Sequence, residues 1–551
     1  MSLFANLYVG NSGLTTSQNA LNTTAHNMAN VGTPGYTRQQ VTQATREYTT
    51  QSKDYRDSQW AQTGLGVFYN NCKQVRSVFL DQSFRLESGR SSFYETSYHS
   101  LTQVEDILQE LNGTEFKTSI DNLWTAAQEL SKDPSSATNQ AAFVNRSGEF
   151  IERSRTVYDS FKNYQTELND SVYDIVQQIN RYGDELLKLN KEICQIEVGG
   201  REHANDLRDR RNQILDELGK LGEIDYKEDT FHVVHVSFAG TPFVMSDHVN
   251  HMACDTEDSP AGFNTPYWEF AAVERTNPVT NLRYLDISNA KVLNLDLPVS
   301  SKMNTDVGKL RSTLLARGDH HATYHDIADD NHNNYTTRIA PSVMMNLEAE
   351  FDQLFHHVCA AINEVMQNAL SNPATVSGKG HTKDFVMFRE KEPTEKVKYK
   401  IGQDYAAGDL LLGISVENTK VNPVLVHDPT TFDFVTKTDD IDNEAMEALK
   451  KAFTEARYTL NPNVTTRNSL NDYYNALVSQ VATSGSVGKS ILDAQKVTVS
   501  GIRDAREQIV GVSQDEELQF MIQFQNAFNA NSRYINVVSE MLDHLLRTLG
   551  G

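Results

Sequence analysis

Apolar residues recur at every seventh position at both ends of the chain, a spacing that places them along one face of an α-helix. At the N-terminus the row is formed by Leu7, Leu14, Leu21 and Met28. At the C-terminus one row is formed by Met521, Phe528, Ile535, Leu542 and Leu549, and a second, offset by three residues, by Phe524, Asn531, Val538 and Leu545. Neither helix can bury such a stripe alone. The pattern predicts that the two ends pack against each other and assemble further through copies of the same chain.

Asn531 is the polar residue in this C-terminal seam. A buried asparagine at such a position can be a tolerated defect in an apolar core, or it can fix the register of the paired helices. The sequence favours neither interpretation over the other.

A stop signal follows the N-terminal stripe, in the segment Asn30-Val31-Gly32-Thr33-Pro34-Gly35-Tyr36-Thr37-Arg38. Asn30 or Gly32 can take the left-handed conformation at a helix end. Pro34 cannot continue a helix, and Pro34-Gly35 favours a turn. We expect the first helix to end here in a turn motif formed by Asn30, Thr33, Pro34, Gly35, Tyr36 and Arg38.

Between the two ends, helical and strand-like periods alternate. The polar residues from 40 to 75 predict an extended or hairpin-like connection, and helical spacing follows, with an unbroken heptad frame from Val172 to Ile196. The chain is therefore predicted to be mainly α-helical, with coiled-coil helices at both termini, a bundle of long helices and inserted β-rich modules on the outside. The predicted parts are a terminal coiled-coil layer (1–40 and 515–551), a helical bundle (41–227, 301–370 and 462–514), a first β-rich module (228–300) and a second one (371–461).

Composition argues against several classes of function. Lys and Arg total 50 and Asp and Glu total 73, so the net charge is −23. Nonspecific nucleic-acid binding needs a cationic face and is not expected. No run approaches the ~20 apolar residues of a membrane helix, and the N-terminus lacks the pattern of a cleaved signal peptide. The four cysteines form no CxxC pair and predict neither a zinc site nor a disulfide framework.

The strongest candidate for a metal site is the histidine-rich segment 319–332. It contains Asp319, His320, His321, His325, Asp326, Asp329, Asp330 and His332. His321 and His325 have the spacing that shares one helix face, but no HExxH motif is present. We expect a polar, solvated loop, and whether it binds metal stays open. Phosphate-binding loops, nucleophile elbows and dinucleotide fingerprints are absent from the sequence, so we expect no cofactor, no catalytic residue and no enzymatic activity.

Several segments resemble the bacterial flagellar axial proteins, the family of rod and hook components. They are Ser2–Phe4, Ser12–Leu14, Gln18–Leu21, His26–Asn30, Thr33–Gln39, Gln62–Val67, Ala204–Asn212, Asp515–Leu518, Phe524–Phe528 and Glu540–Asp543. Gly35-Tyr36 followed by Arg38-Gln39 is most similar to the members at the hook–filament junction. The resemblance covers about 1–225, a piece around 305–365, and 465–551.

This resemblance implies a fold and a function. The fold would have an inner coiled-coil layer, a helical middle layer and outer β domains. The function would be structural, joining hook to filament outside the cell after export without a cleaved signal peptide. The implied partners are copies of the chain itself, the hook protein, a second hook–filament junction protein and an export chaperone at the C-terminal helix. Two alternatives stay open: a distal rod or hook protein, which Tyr36-Thr37-Arg38-Gln39 argues against, and a flagellar surface metalloenzyme carried on an outer domain.

Overall fold

The chain begins and ends in long helices. A computed structural model describes residues 3–53, 60–109, 115–200, 202–257, 259, 261–276, 283–327, 335–371, 385–391, 413–431 and 442–549. The helices in these residues are α1 (Leu3–Ala29), α2 (Val78–Gln109), α3 (Glu115–Lys132), α4 (Ala137–Glu197), α5 (Asn205–Leu221), α6 (Lys309–Arg317), α7 (Val343–Ser371), α8 (Pro423–His427), α9 (Asn443–Thr454), α10 (Leu470–Val510) and α11 (Gln514–Leu549). None of them combines the length and hydrophobicity needed to cross a bilayer.

The strands pair antiparallel in small sheets. They are β1 (Gln39–Thr45), β2 (Thr49–Lys53), β3 (Trp60–Thr63), β4 (Val67–Gln74), β5 (Ile224–Glu228), β6 (Val234–Phe238), β7 (Thr241–Val244), β8 (Met252–Asp255), β9 (Thr265–Trp268), β10 (Val273–Thr276), β11 (Arg283–Asp286), β12 (Phe388–Glu390) and β13 (Thr419–Val421). β1 pairs with β4 and β2 with β3, while β5, β6 and β7 form a three-stranded sheet. The mainly helical fold with inserted β modules and the hairpin-like connection after the first helix are therefore confirmed.

The described residues divide into two compact units. Unit 1 comprises Met1–Ser91, Gln177–His251 and Gln495–Gly551, and unit 2 comprises Ser92–Val176 and Met252–Ala494. The division cuts the segment 228–300 after His251, so that β5 to β7 belong to unit 1 and β8 to β11 to unit 2.

In unit 1 the sheet β5–β6–β7 packs on helices α4 and α5. A Cβ atom at Gly183 would lie 2.5 Å from Phe243, and one at Gly222 would lie 2.2 Å from Phe238. Asn190 of α4 donates to the carbonyl of Val234 and accepts from its N–H, at 2.8 and 3.1 Å. This sheet belongs with the helices because its alternate apolar side chains face them.

Unit 2 is built around an aromatic core. The ring of Phe116 lies 4.9 Å from those of Phe351 and Tyr474, and Phe150 stacks on Phe355 at 5.4 Å. These side chains come from α3, α4, α7 and α10, so one cluster holds four helices together.

The segment 371–461 differs from the β-rich module that the sequence predicts. Its described residues contain the short pair β12–β13 together with helices α8 and α9. Helix α9 begins after Asp442, whose carboxylate accepts a hydrogen bond of 3.0 Å from the N–H of Ala445. Met446, Leu449 and Phe453 then bury one helical face. The expectation of strands overlooked this cap and the helical spacing after it.

Buried carboxylates on α7 fasten other segments of unit 2 to that helix. Glu350 is fully buried and accepts hydrogen bonds from Asn461 at 2.7 Å and Gln480 at 2.9 Å. Asp352, 1 % exposed, accepts hydrogen bonds from two backbone N–H groups. Burial raises the pKa of both carboxyl groups to about 7. Both carboxyl groups are therefore partly protonated near neutral pH.

The variant E350Q should gain stability relative to the unchanged chain as the pH rises from about 5 to 8. The pKa of Glu350 in the folded chain, about 7, exceeds the ordinary 4.5, so between these values folding takes up a proton. That uptake makes folding less favourable as the pH rises, and the full penalty is present above pH 7. Glutamine has no such dependence. The difference should reach roughly 3 kcal/mol in chemical denaturation.

The exposed Glu447 of α9 provides the control for this comparison. At about pH 5 and at about pH 8, the free energy of unfolding of E447Q should stay within about 0.5 kcal/mol of that of the unchanged chain. A stability difference for E350Q that does not change with pH would contradict the raised pKa of Glu350.

Candidate assembly site

The helices at the two ends of the chain pack against each other. A Cβ atom at Gly10 would lie 2.8 Å from Cγ1 of Ile535, and one at Gly13 would lie 2.6 Å from Oδ1 of Asn531. A higher residue number on α1 thus meets a lower residue number on α11, so the two helices run antiparallel. Glycine inside a helix is destabilising by about 1 kcal/mol relative to alanine, and here it permits this close approach.

The predicted seam of α11 is partly buried in this helix pair. Val538 is 2 % exposed, whereas Leu545 is 40 % exposed and the side chain of Leu549 lies outside the described residues. The half-buried members are Met521, Phe524, Phe528, Asn531, Ile535 and Leu542. That these residues form contacts between subunits stays a prediction.

On α1 the predicted stripe is not the most buried face. The members of the stripe, Leu7, Leu14, Leu21 and Met28, are all half-buried. The fully buried positions carry small or short polar side chains, namely Gly10, Ser12, Thr16, Ser17, Ala20, Thr24 and Asn27. The closest packing of α1 is therefore made by small residues.

The contact of Gly13 with Asn531 predicts a pair of compensating substitutions. G13A should weaken the helix pair, because the new methyl group would crowd the Asn531 amide at a cost of roughly 1–3 kcal/mol, of which the better helix propensity of alanine offsets about 1 kcal/mol. N531A in the same chain should remove most of that loss. Amide hydrogen exchange along α1 measures the effect.

A matched glycine on α10 provides the control for G13A. A Cβ atom at Gly501 meets nothing within 4 Å, so G501A should leave exchange along α1 unchanged. If the amides of α1 in G13A were as protected as in the unchanged chain, Asn531 would not fix the register of this pair.

The helix pair leaves apolar side chains exposed where α1 begins. Because the helices are antiparallel, residues 4–8 of α1 lie beside the C-terminal part of α11, from Tyr534 onward. Phe4 and Leu546 are each 70 % exposed. The other exposed apolar side chains of this region, which we call the apolar end, are Tyr8, Tyr534, Val537, Met541 and Leu545. An exposed apolar group of this kind indicates a surface for protein–protein contact.

Asn27, in the last turn of α1, organises the reversal of the chain. Its Oδ1 accepts hydrogen bonds from the hydroxyl of Tyr36 at 2.8 Å and from the N–H of Gln39 at 3.0 Å. Its Nδ2 donates to the carbonyl of Gln39 at 2.8 Å. Burial raises the pKa of Tyr36, so its hydroxyl stays a donor. One side chain thus ties the end of the helix to the start of β1.

Gly35 is the left-handed residue of the turn, with a φ of 79°. The expectation that Asn30 or Gly32 takes this conformation is wrong. A Cβ atom at Gly35 would lie 1.8 Å from Nε2 of Gln213, which donates to the carbonyl of Pro34 at 2.8 Å. Glycine is required here both by the backbone conformation and by the close approach of α5.

Asn30 acts through its side chain instead. Its Nδ2 donates to the carbonyl of His26 at 3.0 Å, and its Oδ1 accepts from the hydroxyl of Thr33 at 3.1 Å. Asn30 therefore satisfies a carbonyl at the end of α1 and holds the first half of the turn.

Arg38 connects the turn to the start of α11. Its Nε donates to Glu517 at 2.9 Å and its Nη1 to Glu516 at 3.0 Å, and its guanidinium lies 5.5 Å from the ring centre of Phe520. Its backbone N–H donates to the carbonyl of Val510 at 2.9 Å, at the end of α10. Since Glu517 is 2 % exposed, loss of Arg38 would leave a buried charge unpaired.

A chain of alternating charges extends from the turn into α2, α5 and α10. Asp209 of α5 accepts a hydrogen bond of 3.1 Å from the N–H of Thr37, and burial raises the pKa of this carboxyl group. The successive ion pairs are Asp209–Arg76 (3.9 Å), Arg76–Asp81 (2.9 Å), Asp81–Arg506 (2.8 Å), Arg506–Asp216 (2.7 Å) and Asp216–Arg85 (2.7 Å). No member is more than 17 % exposed. The chain fixes the turn against three helices, and sequence analysis identified none of its links.

The described part of the histidine-rich segment, residues 319–327, packs against other residues of unit 2, which corrects the expectation of a solvated loop for this part. Ala322 and Ile327 are buried with Tyr335 and Ile339 in an apolar cluster. A 3₁₀ turn covers Tyr324–Ile327, so His321 and His325 do not share an α-helical face. The burial of Ala322 and Ile327 holds the polar residues between them against the rest of unit 2.

His320 of this segment pairs with two carboxylates. His320 lies 2.5 Å from Asp319 and 3.4 Å from Asp326, and these carboxylates raise the pKa of His320 to about 10. His332, Asp329 and Asp330 lie outside the described residues. In the part of the chain that the structure describes, no group of three or more His, Cys, Asp or Glu side chains is arranged to hold a metal ion.

Three family models match the chain in sequence order. The basal body rod protein model matches residues 7–37, the helical domain of flagellar hook-associated protein FlgK matches 101–281, and the C-terminal model of the rod proteins FlgEFG matches 508–548. The two terminal matches fall on α1 with its turn and on α11, the helices that form the pair.

Curated relatives match along the whole length. Flagellar hook-associated protein 1 of Bacillus subtilis is 25% identical over 553 residues, covering 100% of this chain and 99% of the relative. The protein of the same name from Salmonella typhimurium is 23% identical over 566 residues, covering 97% of this chain and 98% of the relative.

Among solved structures, the flagellar hook junction protein FlgK from Burkholderia pseudomallei aligns with a TM-score of 0.54 and 11% sequence identity. The alignment covers 78% of this chain and 100% of that one, and it supports a shared fold.

Proposed function

This chain belongs to the flagellar hook-associated protein 1 family, and from that premise we propose that its paired terminal helices form the contact by which subunits join hook to filament. It is a structural component of the bacterial flagellum and assembles with other flagellar axial proteins. One observation carries the proposal: α1 and α11 pack on each other yet leave the apolar end exposed.

In the proposed mechanism, apolar burial drives assembly without chemical change. Neighbouring subunits cover the apolar end and the exposed part of the seam, including Leu545 and Leu546, at about 25 cal/mol per Å² of apolar surface. The turn motif and Arg38 set the direction in which the helix pair leaves the rest of unit 1. The sites in such an assembly are contact surfaces, and catalysis is not part of the proposal.

We propose a location outside the cell and three partners besides further copies of the chain. The hook protein would lie on one side of the joint and a second hook–filament junction protein on the other. An export chaperone would cover α11 before export, since an apolar helix face needs protection in the cytoplasm. If a chaperone binds α11, it should co-purify with the unchanged chain from the cytoplasm. It should be absent when residues 515–551 are removed from the chain.

Immunogold electron microscopy of isolated flagella tests the proposed location. A tagged chain that complements motility should label one narrow band between hook and filament. Label at the base of the hook would favour the distal rod or hook alternative. Label along the filament, or in the cell body alone, would contradict the proposed location at the junction.

A further inference from the structure

Unit 2 contains a cavity of about 1050 Å³ that the assembly function does not use. It lies where β9, the end of α6 and the start of α7 meet. Its lining is mixed: Leu293, Leu314 and Met345 supply apolar surface, and Ser288, Asn289 and Ser342 supply polar groups. The volume is that of a small-molecule site, and the mixture of surfaces suits a ligand with an apolar body and a polar group.

Arg317 lies in the wall of this cavity with little access to solvent. It is 3 % exposed, and its guanidinium donates only to neutral oxygens: the carbonyls of Gly318 and Asn264 at 2.9 and 2.8 Å, and Oδ1 of Asn169 at 2.8 Å. No described carboxylate lies within ion-pair distance of it. Burial lowers the pKa of Arg317 to about 10, which leaves it charged at neutral pH. A buried charge without a counter-ion is unfavourable, and an anion in the cavity would relieve it.

The other charges of the lining add to this positive balance. The lining also contains the basic residues Lys291, Arg338 and His320 and the acidic residues Asp296 and Asp319. His320 pairs in addition with Asp326, which lies outside the lining. Asp319 is already paired, with His320 at 2.5 Å and Arg338 at 3.2 Å. This cavity is therefore a locally cationic site in a chain whose net charge is −23.

His321 also belongs to the lining, but its Nδ1 faces the buried carboxylate of Glu348 at 3.8 Å, and Glu348 lies outside the lining. The imidazole is therefore oriented by the protein itself, and Arg317 is the group that calls for an anion.

We propose that this cavity binds a small organic anion, whose carboxylate or phosphate group lies at Arg317 and whose body packs on the leucine and methionine side chains. Arginine presents a planar fork that matches either group, which explains why the charge recognises the ligand class and the walls select its shape. The proposal does not depend on the flagellar function, so each can be tested without the other.

Titration calorimetry of the full chain with benzoate, inorganic phosphate and benzamide tests the proposal. Benzoate should bind more tightly than the neutral isostere benzamide, and phosphate binding would identify a site for phosphate groups rather than for carboxylates on apolar bodies. R317Q should weaken binding of the preferred anion at least tenfold. The control R457Q changes an arginine of unit 2 that is 49 % exposed, and it should bind as the unchanged chain does.

A second variant keeps the test informative if R317Q does not fold. L295W adds bulk to the cavity lining without changing a charge, and it should abolish binding while the far-ultraviolet circular dichroism stays unchanged. Equal affinity for benzoate and benzamide, undiminished binding by a folded R317Q or L295W, or no binding of either anion to the unchanged chain at roughly 10 mM would overturn the proposal.

Discussion

A chain with both Leu542 and Leu545 changed to aspartate should leave the cell but fail to start filaments. Leu542 is half-buried in the helix pair and Leu545 is 40 % exposed, so a partner subunit would have to cover both charges. An unpaired carboxylate costs several kcal/mol on burial, and every subunit of the assembly would carry two. The core of unit 1 lies on other helices, so the melting temperature of the monomer should change little. Motility should be lost, and unassembled filament protein should appear in the medium.

The matched variant for this experiment carries the same added charge elsewhere on α11. Gln525 and Asn529 are exposed polar positions, so Q525D/N529D also adds two negative charges without entering the seam. It should swim normally. Because α11 is also the proposed chaperone site, the amount of each variant secreted has to be measured separately. A secreted L542D/L545D chain that reaches the hook and still nucleates filaments would show that the C-terminal seam is not the assembly interface.

The helical parts of the fold were accessible from the sequence because burial on one face leaves a periodic record. The heptad frame around Val172 becomes the long helix α4, and the two C-terminal rows become α11. The frame ends near Gly200, which takes a φ of 63°. The pairing of the two ends also followed from the sequence, because each apolar stripe needs a partner to cover it, whereas the antiparallel direction came only from the structure.

The turn and the charge chain left no comparable record. Arg76 lies just before α2, and Asp81 and Arg506 lie on polar stretches of helix, where charged residues ordinarily face solvent. Only the three-dimensional approach of α2, α5 and α10 turns them into buried pairs. The sequence also led us to predict that the leucines of α1 make its closest contacts. A heptad pattern is found from apolar side chains and carries no information on how closely two helix backbones approach at a glycine.

The cavity at Arg317 was equally out of reach. Its arginine, histidine and leucine lining comes from segments separated in sequence, and the nearby histidines suggested a solvated loop or a metal site instead. Local composition identifies which groups are chemically able to bind, but burial decides which of them lack a partner.

Replacing Pro34 and Gly35 with alanine should abolish assembly while leaving most of the fold intact. Alanine at position 35 would have to adopt a φ of 79°, at a cost of roughly 1–2 kcal/mol. Its Cβ atom would also displace Gln213, which now donates to the carbonyl of Pro34. Alanine at position 34 removes the residue that prevents α1 from continuing. The turn should reorganise, Arg38 should lose its contact with Glu517, and the helix pair should leave unit 1 in a different direction.

Gly32 provides the matched control, because it lies in the same turn without a positive φ, and a Cβ atom there meets nothing within 4 Å. G32A should swim like the unchanged chain, whereas P34A/G35A should be secreted without forming filaments. Amide hydrogen exchange along α1 can report whether α1 and α11 still pair. If P34A/G35A supported normal motility, the conformation of Gly35 would not be needed to direct the terminal helices, and the turn would serve only to end α1.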